Sequence, residues 1–272
     1  MKPILQWAGG KRQLLYEIVR RMPRAYNRYY EPFLGGGAVL FALAPAGAIV
    51  GDQNAALINV YTQIKAAPER VLDAYRSLKQ TPATKELYYD RQRLFNLTVG
   101  DDTVAAAALF IWINHHCFNS LYRTNKNGEF NTFCGHIGKA YAIDVSNLRM
   151  VARYLSRITI LAQDYEQTCA TARAGDFVYI DPPYIDTQRG AYGAHWQAAD
   201  HERLAAFCRE LDRRRVLFMV SNSNTPAAWA LFRDFRVETV GARQHIQGGA
   251  AIRREIIVTN YTPPTLLEME ER

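Results

Sequence analysis

Phe177-Val178-Tyr179-Ile180-Asp181-Pro182-Pro183-Tyr184 gives the clearest indication of the fold in this chain. The first four residues are apolar and favour β-structure, which predicts a buried parallel strand. The strand has to end at Asp181, because neither of the following prolines can donate a ladder hydrogen bond and both fix φ. Open α/β sheets bind their ligands at the carboxyl ends of such strands. The sequence therefore predicts an α/β fold with a ligand site in this loop.

The same loop indicates what kind of ligand it binds. Asp181 supplies a carboxylate, Pro182 and Pro183 hold backbone carbonyls rigid, and Tyr184 adds an aromatic face. A carboxylate and a carbonyl can accept both N–H bonds of an exocyclic amino group, while the ring stacks on the tyrosine. A proline-rich turn with an aspartate cap is the structural alternative. The complete tetrapeptide at a strand end favours function, so these four residues are the predicted catalytic residues.

Composition limits the class of protein. The chain has 272 residues, 49% of them hydrophobic, which is enough for an α/β domain with one insertion. An excess of 33 Lys and Arg over 26 Asp and Glu gives a net charge of +7, which favours a polyanionic partner. The four cysteines have no CxxC spacing, which argues against a zinc site or a disulfide framework. With no signal peptide or long apolar run, we expect a cytoplasmic protein without membrane contact.

Two strand–turn units near the N-terminus predict a nucleoside site. Residues 29–33 read as a strand, Leu34-Gly35-Gly36-Gly37 as a glycine turn and 38–43 as a helix. The turn is not GxGxxG, so a dinucleotide pyrophosphate is not the expected ligand. A second strand, 48–52, ends in an acid, which in such folds accepts hydrogen bonds from ribose hydroxyls. The alternative for this acid, Asp52, is an N-cap of the next helix.

The N-terminal turn Trp7-Ala8-Gly9-Gly10-Lys11 precedes a helix predicted over 12–21. Its two glycines allow the backbone to approach a ligand closely. Trp7 offers a stacking surface, and Lys11 offers a cation for a carboxylate. A Gly-Gly turn before a helix is also common without any function.

Residues 68–144 predict a helical insertion between sheet strands, with helices over 68–78, 84–96 and 103–114. A polar segment follows over 115–131, and Asn127-Gly128 in it predicts a hairpin turn. Its interleaved Arg, Asn, Lys and aromatic residues suit phosphate and base-edge contacts, although a solvated hairpin is the alternative.

The remaining elements complete the sheet. His115 and His116 are interpreted as structural, because adjacent histidines point in different directions. Further strands are predicted over 158–161, 216–220, 235–240 and 255–260, and a helix over 201–213. Two loops are predicted to act on substrate: 185–200 as a mobile lid, and the basic loop 243–249 as a nucleic-acid contact.

Several motifs, in this order, resemble the Dam-type (D12 class, α-group) DNA adenine-N6 methyltransferases. They are Gln6-Trp7-Ala8-Gly9-Gly10-Lys11, Glu31-Pro32-Phe33-Leu34-Gly35-Gly36-Gly37, Asp52-Gln53-Asn54, Phe118-Asn119-Ser120-Leu121-Tyr122-Arg123 with Gly128-Glu129-Phe130-Asn131, and Asp181-Pro182-Pro183-Tyr184. The resemblance implies a Rossmann-like sheet of seven mostly parallel strands and S-adenosyl-L-methionine as methyl donor, leaving S-adenosyl-L-homocysteine. It also implies an adenine flipped out of double-stranded DNA, and no metal.

The resemblance also implies a division of the chain and of its site residues. The catalytic domain covers 1–66 and 145–262, the inserted target-recognition domain covers 67–144, and 263–272 form a tail. The implied cofactor-binding residues are Trp7, Ala8, Gly9, Gly10, Lys11, Glu31, Pro32, Phe33, Gly35, Gly37, Asp52, Gln53, Asn54, Asp164, Tyr165 and Asp181. The implied DNA-binding residues are Phe118, Asn119, Leu121, Arg123, Asn125 and Lys126. We expect a monomer in a bacterial or phage-infected cell.

Some alternatives stay open. RNA adenine methyltransferases share the tetrapeptide, although the hairpin resembles the DNA enzymes, and a DNA-binding protein without catalysis is the alternative from another class. Gln6 stands where members that read GATC usually have lysine, and Thr132-Phe133 stand where those members have a proline. GATC, another adenine-containing site and relaxed specificity are therefore all consistent with the sequence, as are an orphan enzyme and a restriction-modification partner.

Overall fold

The computed structural model describes residues 1–137, 141–185, 196–246 and 249–264. Within these ranges the strands form one seven-stranded sheet in the order β3-β2-β1-β4-β5-β7-β6. The strands are β1 (Tyr29–Glu31), β2 (Ile49–Asp52), β3 (Thr159–Ala162), β4 (Phe177–Ile180), β5 (Leu217–Ser223), β6 (Arg236–Ile246) and β7 (Gly249–Thr259). The five strands from β3 to β5 are parallel, while β7 runs antiparallel to both neighbours. The predicted seven-stranded, mostly parallel α/β sheet is confirmed.

The position of the site follows from the strand order. From β1 the chain moves outward through β2 to β3, and it then returns to β4 on the other side of β1. A ligand crevice forms at such a switch point, outside the carboxyl ends of the strands. Glu31 ends β1, Asp52 ends β2 and Asp181 directly follows β4. The fold thus brings these three acids to one edge of the sheet.

Helices cover both faces of the sheet. They are α1 (Leu15–Val19), α2 (Ala38–Leu43), α3 (Ala55–Ala66), α4 (Pro68–Lys79), α5 (Lys85–Thr98), α6 (Val104–His116), α7 (Val145–Leu155), α8 (Tyr165–Thr168), α9 (Ala198–Arg213) and α10 (Pro226–Leu231). Helices α1 to α7 share a core with Phe177 and Tyr179 of β4, and α8 to α10 share the opposite core with Val178 and Ile180. Because β4 is buried on both faces, its sequence is a continuous apolar run.

The predicted helical insertion is present as α4, α5 and α6. Helix α6 is buried from Ala106 to His116, which explains why its sequence is apolar all round. Ile64 of α3, Val71 of α4 and Ile111 of α6 belong to one core. Helices α4 and α6 therefore share a core with α3, and the division of the chain at 67 and 144 stays a prediction.

The two adjacent histidines have structural partners, as the sequence indicated. Nδ1 of His115 lies 2.8 Å from the Tyr75 hydroxyl, and Nδ1 of His116 lies 2.7 Å from the Trp112 carbonyl oxygen. Burial holds the pKa of both imidazoles below the ordinary value, to about 4 for His115. Both rings are thus neutral core groups at pH 7.

Several predicted element boundaries were wrong. The strand predicted over 29–33 ends at Glu31, and the loop predicted over 185–200 overlaps the start of α9 at Ala198. The helix predicted over 12–21 is a 3-10 turn at Lys11–Gln13 followed by the short α1, because the chain turns to bury Lys11. The predicted loop 243–249 is mostly strand, since β6 and β7 pair from Arg236↔Thr259 to Ile246↔Gly249. Strands β6 and β7 form a hairpin at the edge of the sheet, where strands do not require an apolar alternation. The polar sequence of this hairpin therefore resembled that of a loop. Of the predicted lid and tail, residues 186–195 and 265–272 lie outside the described residues, as do 247–248 of the predicted loop.

Candidate active site

A cavity of about 700 Å³ opens at the carboxyl ends of β1, β2 and β4. Almost all predicted cofactor-binding and catalytic residues line it: Trp7, Ala8, Gly9, Gly10, Lys11, Glu31, Pro32, Phe33, Gly35, Asp52, Gln53, Asn54, Asp164, Tyr165, Asp181, Pro182, Pro183 and Tyr184. Gly37 does not line it. This glycine precedes α2 with φ at +67°, where a side chain would meet the Phe41 ring, so the structure gives it a backbone role.

One oxygen of Asp181 is held from two sides. Oδ1 lies 2.8 Å from Nζ of Lys11 and accepts a 2.9 Å hydrogen bond from the Ser221 hydroxyl. Ser221 also contacts the Tyr179 hydroxyl at 3.1 Å, which fixes the serine in turn. Among the described residues, nothing donates a hydrogen bond to Oδ2. The carboxylate is therefore oriented through one oxygen and has its second oxygen available.

Burial and charge oppose each other at this carboxylate. Burial raises the pKa of Asp181, while the Lys11 ammonium and the Ser221 hydroxyl lower it. Lys11 is 6% exposed, and its Nζ also donates to the Gly9 carbonyl at 2.6 Å and lies 4.8 Å from the centre of the Tyr184 ring. Lys11 thus joins the N-terminal turn to the loop that follows β4. A contact between Lys11 and a cofactor stays a prediction.

Tyr184 is held by an acid that the sequence reading missed. Its hydroxyl donates to Oε2 of Glu255 at 2.5 Å, and Glu255 lies on β7 and lines the same cavity. Ser221 was also missed, although the polar residues that end the strand around 216–220 were a usable signal. Nothing local in the sequence indicated Glu255, because only the antiparallel return of β7 brings it to this edge.

The glycine turn after β1 makes room for Trp7. A side chain at Gly35 or Gly36 would come within 2.9 Å of Trp7 atoms, and Gly35 has φ at +48°. The indole stacks with Tyr122 of the predicted hairpin segment at 5.9 Å between ring centres. It also stacks with Phe110 of α6 at 6.4 Å. Trp7 is therefore wedged between the glycine turn and the insertion.

Asp52 braces the turn at the end of β2. Oδ2 accepts from the Gly35 amide and Oδ1 from the Asn54 amide, both at 3.0 Å. The N-cap of α3 is Asn54, whose side chain accepts from the Leu57 amide. The helix-capping alternative for Asp52 is therefore wrong. Burial raises the pKa of Asp52, and its two amide donors lower it.

A further acid, Asp164, follows β3 and forms a network across the cavity wall. Gln53 donates to its Oδ2 at 2.7 Å, and Arg203 of α9 donates to both of its oxygens at 2.9 and 3.2 Å. Tyr165 stacks on Phe33 with ring centres 5.2 Å apart. These residues give the cavity a planar apolar wall beside polar groups, and Arg203 was not anticipated from the sequence.

Glu31, at the end of β1, is buried. It accepts a 2.6 Å hydrogen bond from the Tyr29 hydroxyl. The pKa of Glu31 is raised to about 8: burial is the main cause, the bond from Tyr29 lowers the pKa, and the nearby Asp181 charge adds to the increase. Glu31 is therefore largely protonated at pH 7, which removes one negative charge from beside Asp181.

The predicted hairpin is present, and its residues divide into two kinds. Asn125 closes the turn, because its Oδ1 accepts from the Asn127 and Glu129 amides at 2.9 and 3.0 Å. Arg123 is tied to Asn131: Nε donates to Oδ1 and Nη2 to the backbone oxygen, both at 2.9 Å. Lys126 is exposed at the tip. Arg123 is therefore pre-oriented, and Lys126 extends into solvent.

The base of the hairpin presents aromatic surface. Phe118 is 51% exposed, Asn119 has φ at +50°, and Phe133 is 63% exposed beneath the Arg123 guanidinium. Leu121 is half-buried. All the predicted DNA-binding residues thus lie on one loop system, outside the main cavity.

Asn114 of α6 connects this hairpin to the N-terminal turn. Its Nδ2 donates to the Gln6 carbonyl at 2.7 Å, and its Oδ1 accepts from the Gln6 amide at 3.0 Å. The Ser120 hydroxyl donates to Oε1 of Gln6 at 3.0 Å. The residue before Trp7 is thereby fixed both to α6 and to the loop that follows it.

A family model described as D12 class N6 adenine-specific DNA methyltransferase matches residues 7–246. The chain belongs to this family. Among curated relatives, the Type II methyltransferase M1.LlaDCHI of Lactococcus lactis subsp. cremoris is 35% identical over 96% of both chains. The Type II methyltransferase M.MjaIII of Methanocaldococcus jannaschii is 34% identical over 96% of this chain and 99% of the relative. A DNA adenine methylase of Vibrio cholerae is 30% identical over 96% of both.

Family membership confirms the predicted enzyme class, adenine-N6 methylation of DNA. Similarity to solved structures is weaker: a chain described as precorrin 8W decarboxylase, from Methanobacterium thermoautotrophicum, aligns over 93% of this chain and 90% of its own, with 9% identity and a TM-score of 0.38. In the part of the chain that the structure describes, no helix has the length and apolar character needed to cross a bilayer. The same residues contain no group of three His, Cys, Asp or Glu suited to a metal ion.

Proposed function

We propose that this D12-class enzyme methylates an adenine flipped out of duplex DNA, with Asp181 and the loop Pro182–Tyr184 around the reacting amino group. The observation that carries the proposal is the orientation of Asp181. Oδ1 is held by Lys11 and Ser221, while Oδ2 accepts nothing from the described residues. A carboxylate fixed in this way is ready to accept one N–H bond of a target amino group.

The residues of the cavity fit S-adenosyl-L-methionine. Asp52 lies at the end of β2, where such folds contact ribose hydroxyls, and it retains acceptor capacity beyond its two amide bonds. Phe33 and Tyr165 offer a stacked aromatic wall for an adenine ring. Of the acids that line the cavity, Asp164 is paired with Arg203 and Asp181 with Lys11, while Asp52 has no ion pair among the described residues. When bound, S-adenosyl-L-methionine supplies an electrophilic sulfonium methyl group.

The chain's own part in the reaction is positioning and electrostatics. The N6 lone pair of adenine is delocalised into the ring, so the amino group is a poor nucleophile. Asp181 accepts one N–H bond and the Pro182 carbonyl accepts the other, which draws the nitrogen toward tetrahedral geometry. Preorganised acceptors of this kind stabilise charge as it develops in the transition state. The proton leaves after methylation, so Asp181 need not act as a base beforehand.

The target amino group lies inside the DNA stack and cannot reach this cavity without base flipping. Tyr184, which lines the cavity, then stacks on the flipped ring. The hairpin supplies the DNA contacts: Phe118, Asn119 and Leu121 near the base step, Arg123 at a base edge, and Lys126 at a phosphate. Asn125 contributes by shaping the turn.

The remaining assignments rest on the family and on the relatives' names. We propose a monomer that acts in the cytoplasm of a bacterial or phage-infected cell, with an inserted target-recognition domain over 67–144. Relatives include enzymes named Type II methyltransferases and enzymes named DNA adenine methylases. A restriction-modification role and an independent methylation role therefore both have precedent among the relatives.

Asp181→Ala tests the proposal directly. The variant loses the acceptor for the target amino group, so methyl transfer from labelled S-adenosyl-L-methionine to duplex DNA should fall by on the order of 100-fold or more. Affinity for duplex DNA should stay close to that of the wild type, because the hairpin is untouched. Lys126→Ala is the opposite control, with weaker DNA binding and retained turnover at saturating DNA. Near-normal turnover in Asp181→Ala would remove Asp181 from the reacting centre.

A further inference from the structure

Glu255 is a buried acid for which the side chains that the structure describes supply no ion-pair partner. It is 8% exposed, it lies on β7, and it lines the same cavity as Asp181. Among the described residues its hydrogen bond is to the Tyr184 hydroxyl, at 2.5 Å. A buried carboxylate is costly unless its oxygens are hydrogen-bonded. The pair with Tyr184 is therefore the feature of the structure that accounts for an acid at this position.

The bond restrains the ring of Tyr184 at its outer end. Pro182 and Pro183 fix the backbone just before Tyr184, and Glu255 fixes the hydroxyl at the far end of the side chain. Hydrogen bonds from a hydroxyl to a carboxylate are short and about twice as strong as neutral ones. The axis of the side chain is thus fixed at both ends. Because a phenolic O–H bond prefers to lie in the plane of its ring, the position of the Glu255 acceptor also favours one plane for the ring.

The sheet register couples this restraint to the one on Asp181. Ser221 and Ser223 lie on β5, and Glu255 on β7 pairs with Ser223 in the antiparallel ladder. Side chains two residues apart on a strand share a face, so Ser221 and Glu255 point to the same side of the sheet. One edge of the β5–β7 pair therefore holds both Asp181 and Tyr184.

We propose that Glu255 is a positioning residue, which sets the plane of Tyr184 and thereby the angle at which the target adenine presents its amino group to Asp181. The inference rests on the proposed roles of Asp181 and Tyr184. Glu255 does not touch the reacting atoms in this scheme. Its effect passes through the tyrosine hydroxyl alone.

The test uses Glu255→Ala, Glu255→Gln, Tyr184→Phe and the double variant Glu255→Ala/Tyr184→Phe in the full chain. Loss of orientation in an active site costs up to about 100-fold in rate, and we expect kcat of Glu255→Ala to fall by about 10- to 100-fold. Glu255→Gln keeps an acceptor oxygen and should stay within about threefold of the wild type. Tyr184→Phe should match Glu255→Ala, and the double variant should be no slower, because both changes break one bond.

Three further measurements separate positioning from general damage. Calorimetric affinity for S-adenosyl-L-methionine and KM for DNA should stay within about twofold of the wild-type values in Glu255→Ala. A duplex with 2-aminopurine at the target position should still flip its base, with altered fluorescence in the complex. Glu69→Ala is the matched control, since Glu69 is an exposed acid paired with Arg149.

Each unfavourable result has its own meaning. Rate losses that multiply in the double variant, a wild-type kcat in Glu255→Ala, or a loss of cofactor affinity equal to the loss of kcat would each overturn the positioning role. If Glu255→Ala does not fold, Tyr184→Phe takes its place in the test. A kcat lower by about 10- to 100-fold in Tyr184→Phe, with Glu255→Gln within about threefold of the wild type, supports the positioning role, and a wild-type kcat in Tyr184→Phe overturns it. Normal turnover in Asp181→Ala would instead undermine the proposed function itself.

Discussion

The hydroxyl of Ser221, near the end of β5, donates a 2.9 Å hydrogen bond to Oδ1 of Asp181. Removing it in Ser221→Ala leaves Asp181 free to rotate around its contact with Lys11. A hydrogen bond to a charged group contributes about 1.5–3 kcal/mol, so we expect kcat to fall by about 10-fold or more. Steady-state kinetics at saturating cofactor measure this. Ser223→Ala is the matched control, since its hydroxyl contacts Asn222, and equal rates in the two variants would contradict the role of Ser221.

Asp52→Ala tests the cofactor site. The variant loses a buried carboxylate placed for ribose hydroxyls, and affinity for S-adenosyl-L-methionine should weaken by about 1.5–3 kcal/mol. Isothermal calorimetry gives the affinity, and circular dichroism confirms the fold. Asp73→Ala, which changes an exposed acid on α4, should bind normally. Unchanged affinity in folded Asp52→Ala would reduce Asp52 to a brace for the Gly35 amide.

Glu31 makes stability depend on pH. Its pKa rises from an ordinary value of 4.5 to about 8 on folding, so between these values the folded state keeps a proton that the unfolded state has released. The free energy of unfolding therefore decreases as pH rises through this window, by up to about 1.4 kcal/mol per pH unit from this group. Below pH 4.5 this penalty is absent, and above pH 8 it is complete.

Glu31→Gln keeps a neutral polar side chain and removes that penalty. Urea unfolding at pH 5, 6.5 and 8 should show the variant gaining stability relative to the wild type as pH rises. Glu69→Gln, at an exposed acid, should run parallel to the wild type. Parallel curves for wild type and Glu31→Gln would mean that Glu31 is ionised in the folded protein at neutral pH.

Arg123→Ala addresses how the target sequence is read. A bidentate arginine–guanine contact discriminates by about 1–3 kcal/mol, so loss of Arg123 should broaden the set of methylated sites more than it slows the best one. Lys126→Ala should instead weaken binding evenly across sequences and make its salt dependence shallower. Sequencing of modified bases at two salt concentrations distinguishes the two. An unchanged site profile in Arg123→Ala would exclude it from base reading.

Wild-type specificity is a related expectation. Gln6 and Phe133 stand where GATC-reading members have other residues, so we expect the wild type to tolerate substitutions next to the adenine. The Gln6 side chain is already occupied by the Ser120 hydroxyl. A wild-type profile confined to GATC would contradict this expectation.

Residues that follow strand ends in the sequence were predictable. A buried strand stopping at Asp181 and a second strand ending in Asp52 determine that these two side chains reach one edge of a parallel sheet. The end of β1 at Glu31 was not predicted, because the strand was expected to continue to residue 33. The helix-capping role of Asn54 and the closed turn at Asn127-Gly128 follow from local chemistry too. These features depend on residues within a few positions along the chain. Hydrophobic periodicity and turn residues are patterns on the same scale, so they predict such features.

Contacts made by distant segments were not predictable in the same way. Glu255 reaches Tyr184 because β7 lies between β5 and β6, an order that no local pattern specifies. Tyr122 stacks on Trp7 from more than a hundred positions away, and Arg203 reaches Asp164 from α9. Residues 243–246 were predicted as a loop and are part of β6. This difference also comes from a distant segment, because pairing with β7 determines the structure of these residues.

The carboxamide of Asn114 bears on how such enzymes can be re-engineered. Asn114 lies in the last turn of α6 and forms hydrogen bonds with both the amide and the carbonyl of Gln6, one residue before Trp7. The hairpin segment starts directly after that helix. The conformation of the hairpin is therefore coupled to the end of α6 and to Gln6. To transfer the target preference of a relative, a graft has to include the hairpin, the end of α6 and the segment around Gln6, because hydrogen bonds connect these three segments.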